Sequence, residues 1–136
     1  MTEAIEIITA LVAGLALGAG AFLSFVLAPM VFRVLEPPEA SRFLRALFPR
    51  YYRVLLACGV VLAGLVGFVR PGLLAPAVAL AMLAGASLAL VPRINAARDA
   101  GEPAAGRFRR LHGLSVVLNL AMLVASGWMV GVLAGG

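Results

Sequence analysis

The sequence has no lysine, and it has one histidine, one cysteine and one tryptophan. Charged residues make up 12% of the chain, about half the usual ~25% of a soluble domain. A single cysteine, Cys58, excludes an intrachain disulfide and a multi-cysteine metal site. It lies inside an apolar run and reads as a small buried residue. The apolar stretches hold no paired carboxylates, and the chain has no nucleophile elbow, glycine-rich phosphate loop or histidine-rich motif. No enzymatic activity is therefore expected. Proton-coupled transport normally uses an intramembrane carboxylate, and only Glu6, within a turn or two of one end of the first apolar run, comes near that role.

What is present is apolar surface. Hydrophobic residues account for 63% of 136 residues, against ~45–50% in soluble domains even with glycine counted. A chain of this size cannot hide that surface in one water-solvated core. Lipid is the expected solvent.

Four apolar runs, 4–32, 51–69, 73–91 and 111–134, are each close to or above the ~20 helical residues that cross about 30 Å of hydrocarbon. The expected fold is an all-α membrane protein, a single domain over 1–136 built as a four-transmembrane-helix bundle. The segment Met1-Thr2-Glu3-Ala4-Ile5-Glu6 is acidic where a secretory signal needs positive charge, so the first run is read as a span. Pro29 is expected to kink it near Phe25, because the ring clashes with the carbonyl four residues back.

The net charge of +5 comes from eleven arginines. Ten lie in the first and third connections and one, Arg70, in the second. A basic patch on a soluble domain would point to nucleic acid. Here the arginines mark the ends of apolar runs, so the expected partner is the lipid bilayer and not nucleic acid. Basic loops stay in the cytoplasm, which predicts an inner (plasma) membrane protein with both termini outside.

The first connection carries its own pattern. Pro37-Pro38-Glu39 reads as a helix start. Ala40, Phe43, Leu44, Leu47 and Phe48 recur at helical spacing, Arg42 and Arg45 take another face, and Pro49 closes the segment. This predicts a short amphipathic helix over 38–48 lying on the cytoplasmic surface. Arg42 and Arg45, with Arg109 and Arg110 of the third connection, are expected to contact headgroups.

Small residues at four-residue spacing, such as Ala10, Gly14 and Gly18, predict close helix contacts, within one bundle or between subunits of a homo-oligomer or larger complex. The fourth run carries a polar stripe. His112, Ser115, Asn119 and Ser126 fall within an arc of about 60° at 100° per residue. Glu6, Thr9 and Ser24 share a face of the first run, which is a candidate facing wall. Three readings of the stripe stand side by side. One is interhelical hydrogen bonding. Another is a polar pocket on the cytoplasmic side, built from His112, Ser115 and Asn119 with Tyr51 and Asn95, which binds or passes a small molecule or lipid headgroup. The third is haem or copper ligation by His112 with Cys58 or Met30, which one histidine serves poorly. No cofactor or metal is expected.

Two blocks of sequence carry a resemblance. One is Phe22 to Phe32 (FLSFVLAPMVF) followed by Leu47-Phe48-Pro49-Arg50-Tyr51-Tyr52; the other is Val91 to Asp99 (VPRINAARD) followed by Phe108 to Asn119 (FRRLHGLSVVLN). Together, over about residues 14–125, they resemble the transmembrane protein 205-like family, a domain of unknown function. The resemblance implies a four-helix membrane protein and brings no catalytic residues or cofactor. It also implies that His112, Ser115, Asn119 and the Phe48-Pro49-Tyr51 corner belong to one recurring pattern.

Overall fold

The computed structural model describes all 136 residues, and the chain is helical almost throughout. Helix α1 (Thr2–Phe22) passes through a five-residue π segment (Leu23–Leu27) into α2 (Ala28–Val34). Then come α3 (Pro37–Val69), a 3-10 turn (Pro71–Leu73), α4 (Leu74–Asp99), a second 3-10 turn (Glu102–Ala104) and α5 (Ala105–Ala134). Four helical stretches, Thr2–Val34, Pro37–Val69, Pro71–Asp99 and Glu102–Ala134, are long and apolar enough to cross a membrane. The chain is an all-helical, multi-pass membrane protein.

The turns follow from local chemistry. Glu36 precedes Pro37 and takes extended backbone, φ −62° and ψ 151°, because the following ring crowds out the helical region. Gly101, at φ +71°, is the single residue with left-handed backbone and ends α4. With connections this short, consecutive helices run antiparallel. Helix α1 packs on α3 and α5, and α4 packs on α3 and α5, which closes an up-and-down bundle.

The core runs along the bundle axis through Ala13 and Ala16 of α1, Leu55, Leu62 and Val66 of α3, Leu80 of α4, and Met122 and Met129 of α5, all at most 2% exposed. Helices α3 and α4 make a close crossing at Gly59, where a Cβ would lie 2.6 Å from the Ala81 backbone nitrogen. No such contact involves Gly14 or Gly18, which face outward.

Two sequence expectations are corrected here. The 38–48 segment is helical, but it is the first third of α3 and not a separate surface helix, and Pro49 sits inside α3 without ending it. Proline removes one backbone donor and crowds the turn before it. The Arg50 guanidinium donates to the Ala46 carbonyl at 2.6 Å beside that break. The apolar face of the segment also finds protein: Ala40 and Leu44 are buried with Val31 of α2, against Leu27, Leu35, Leu47 and Phe48. Packing on α2 and polar ties to α4 hold this part of α3 in line with the bundle. Likewise, the helices that hold the 73–91 and 111–134 runs extend well past them into the third connection. Helix α4 continues to Asp99 and α5 begins at Ala105. At 1.5 Å per residue a 33-residue stretch is about 50 Å long, well beyond ~30 Å of hydrocarbon. The arginine-bearing ends of all four stretches therefore project together as a helical extension of the bundle.

Candidate functional site

Pro29 shapes the site. Its ring collides with the Phe25 carbonyl of a regular α-helix. The chain relieves this with the π segment, in which the Ala28 N–H bonds to the Leu23 carbonyl, five residues back. Such single π turns redirect the side chains they carry. Here the segment carries Ser24, half-buried and directed at α5.

Asn119 of α5 lies at the centre of a three-helix polar link. The Tyr51 hydroxyl of α3 donates to Asn119 Oδ1 at 2.8 Å, and Asn119 Nδ2 donates to Ser24 Oγ at 2.8 Å. Gly20 makes room for it: a Cβ there would stand 3.1 Å from the Tyr51 hydroxyl oxygen and 2.9 Å from Leu123 Cδ2. Tyr51 is 7% exposed and stacks in tilted fashion on Tyr52 at 5.2 Å.

Above this link, toward the arginine-rich end, lies a cavity of about 320 Å³. All four helical stretches line it. Ser24, Ala28 and Phe32 come from the first, Arg45, Phe48 and Tyr52 from α3, Asn95 and Arg98 from α4, and His112, Ser115 and Asn119 from α5. Asn119 forms part of the floor, and Arg45, Arg98 and His112 stand toward the mouth.

The charges at the mouth are organised. Arg45 and Asp99 form a two-pronged ion pair, with Nη1 donating to Oδ2 at 3.1 Å and Nη2 donating to Oδ1. That hydrogen bond is the main reason the Asp99 carboxyl is held below its ordinary pKa. Arg98 is half-buried. Its Nη1 donates to Ser41 Oγ at 3.3 Å and its guanidinium covers the Phe108 ring at 5.0 Å. Both ion pairs of the chain, Arg45–Asp99 and Arg70–Glu6, leave Arg98 out. Burial, and after it the Arg45 charge, pushes the Arg98 pKa down. It still carries its charge, since a guanidinium does not deprotonate in proteins.

The residues named from the sequence fall into three groups. Asn119, Asn95, Ser115 and His112 surround one cavity, and Tyr51 sits just behind it, bonded to Asn119. Ser126 is buried on the same face but bonds back to the Met122 carbonyl at 2.8 Å, a packing contact of its own helix. Ser24 supplies the facing wall, whereas Thr9 bonds the Ile5 carbonyl at 2.6 Å and Glu6 meets Arg70 at 3.9 Å, both far from Asn119 along α1.

Other expectations need correction. His112 has no partner on another helix; it is exposed at the mouth and stacks on Phe108, one turn earlier, at 5.7 Å. Arg42, Arg109 and Arg110, expected among headgroups with Arg45, are exposed, and Arg45, 32% exposed, forms a surface pair with Asp99. Cys58 is buried in the core and Met30 is exposed, and neither lines the cavity with His112, so the three candidate haem or copper ligands are not brought together. Arg98, Asp99 and Tyr52 were missed. Val91, Ile94, Asn95 and Arg98 stand at i, i+3, i+4 and i+7, and that spacing would have put Arg98 on the Asn95 face.

Residues 11–103 match a family described as a domain of unknown function (DUF4149). The match takes in most of α1, all of α3 and α4, and stops before His112 of α5. A relative from Aquifex aeolicus (strain VF5), an uncharacterised protein, is 28% identical over 113 residues, 79% of this chain and 80% of the relative. No solved structure matches the chain. With well over half its length covered by the family pattern, the chain belongs to the DUF4149 family.

Proposed function

We propose that this protein is a binding or passage protein, not an enzyme, which receives a small polar or anionic group in the cavity at the arginine-rich end of its bundle. One observation carries the reading. Arg98 is a half-buried guanidinium with no carboxylate partner, on the wall of a 320 Å³ cavity that also holds Asn95, Ser115 and His112. A cation in a partly dry site gains most from an anion brought to it. The neutral Ser24–Asn119–Tyr51 link beneath it offers hydrogen-bonding atoms to a polar group and keeps the walls at fixed spacing.

The arginine asymmetry supports an inner (plasma) membrane location with both termini outside and the cavity facing the cytoplasm. The outward-facing Gly14 and Gly18 support close packing between subunits, as a homo-oligomer or as an accessory subunit of a larger membrane complex. The Phe48-Pro49-x-Tyr51 and Leu111-His112-Gly113-x-Ser115-x-x-x-Asn119 elements support the finer kinship with transmembrane protein 205-like proteins.

The test is a melting experiment on the detergent-purified protein titrated with inorganic phosphate. A saturable rise in melting temperature that disappears in Arg98→Gln is expected. An unchanged melting temperature at every phosphate concentration removes the reading.

A further inference from the structure

The two halves of the first spanning stretch pack differently. Helix α1 packs closely on both α3 and α5, whereas α2, past the π segment, touches the rest of the bundle only lightly. The wall of the bundle is therefore parted between α2 and α5. The Ser24–Asn119 hydrogen bond closes the base of this gap. Above that bond the edges are Ala28 and Phe32 on one side and Val116 and Leu120 on the other, all lining the cavity. Phe32 is 67% exposed, Val116 46% and Leu120 50%, so the edges of the gap face outward from the bundle and are apolar.

Depth matters as well. From Asn119 to His112 is seven residues, about 10 Å along the helix axis. That height exceeds the headgroup zone of a bilayer, some 5–8 Å thick on each side, so a site of this height at a bundle end adjoins hydrocarbon. Ten of the seventeen lining residues are hydrophobic, and Arg98, which forms no ion pair, stands at one end. A fully hydrated ion would have to shed water against this apolar lining. A molecule with a charged head and an apolar chain meets matching surface at both ends.

Resting on the binding reading above, we infer that the ligand is an anionic amphiphile, phosphate- or carboxylate-headed, which enters sideways from the bilayer through the α2–α5 gap. Its headgroup meets Arg98, and its chain lies between Phe32 and Leu120. The π segment at Pro29 is the structural reason the gap exists.

The experiment uses the full chain in phosphatidylcholine vesicles. Trp128→Phe removes the native fluorophore and Phe32→Trp installs one at the edge of the gap. Dibrominated phosphatidic acid or dibrominated phosphatidylcholine is then titrated in. Saturable quenching by the phosphatidic acid at a mole fraction roughly fivefold lower than for phosphatidylcholine is expected, with the preference lost in Arg98→Gln. Ala28→Phe, which narrows the gap, should raise the mole fraction of phosphatidic acid needed for quenching. If the reporter variant does not fold, retained phosphatidic acid is counted by native mass spectrometry on the unaltered chain and on Arg98→Gln. Equal quenching or retention of both lipids, with the phosphate effect on melting intact, overturns lateral entry and leaves the cavity as a site for soluble anions. Loss of both signals overturns the inference together with the binding reading.

Discussion

Asn119 and Tyr51, 68 residues apart, are joined by a 2.8 Å hydrogen bond from the phenol to the amide oxygen. The amide bridges two neighbours, because its nitrogen donates to Ser24 on a third helix. In hydrocarbon each of these groups would otherwise lack a partner. The link therefore fixes the rotation of three helices about their axes and sets the floor of the cavity.

Replacing Asn119 by Ala leaves the Tyr51 hydroxyl buried without an acceptor. An unpaired buried group costs about 1–3 kcal/mol, so Asn119→Ala should melt at lower temperature. In a double-mutant cycle with Tyr51→Phe, a coupling of ~0.6–2 kcal/mol is expected. Strict additivity of the two variants would refute the link.

Gly20→Ala tests the same contact from α1. The added methyl meets Leu123 Cδ2 at 2.9 Å and the Tyr51 hydroxyl oxygen at 3.1 Å. Overpacking of this kind costs roughly 1–3 kcal/mol. Part of the loss should return in the Tyr51→Phe background, where one of the two clashing atoms is gone. Equal destabilisation by Gly20→Ala in both backgrounds would place the whole strain at Leu123.

The Arg45–Asp99 pair makes stability depend on pH. Asp99 is held below its ordinary pKa chiefly by the hydrogen bond from Arg45. Its contribution is complete above the carboxylate pKa of the unfolded chain and is lost as pH falls through the lower value of the folded chain. Thermal melts from neutral to acid pH should show wild type above Asp99→Asn at neutrality, with the two curves converging in acid. A constant difference across the range would mean that the pair does not titrate in this way.

Topology is accessible because Cys58 is buried. In a Cys58→Ala background, Thr2→Cys should react with an impermeant thiol reagent added outside intact cells. Ala104→Cys should react only after the membrane is opened. The reverse pattern would move the arginine-rich end, and the cavity with it, to the outer side.

Much of this protein was legible in its sequence. The four spans follow from length and hydropathy, because a bilayer of fixed thickness demands about 20 apolar residues per crossing. The grouping of ten arginines at one end follows from the alternation of antiparallel spans. The inward rotation of Asn119 follows from 3.6-residue periodicity, since a polar stripe avoids lipid.

Tertiary structure decided the rest. Arg45 meets Asp99 across 54 residues, and Ser24 meets Asn119 across 95. Neither pairing has a local signature, because each depends on how two helices are rotated and offset. Proline sets a local constraint whose outcome depends on its surroundings. Pro49 is absorbed in a helix held by Val31 and Asp99, whereas Pro29, at the start of α2, follows a π turn. The sequence determined which surfaces had to leave water. The packing of the helices decided which polar groups met, and so where the cavity formed, because hydrogen bonds and ion pairs between helices act only at distances that the assembled bundle sets.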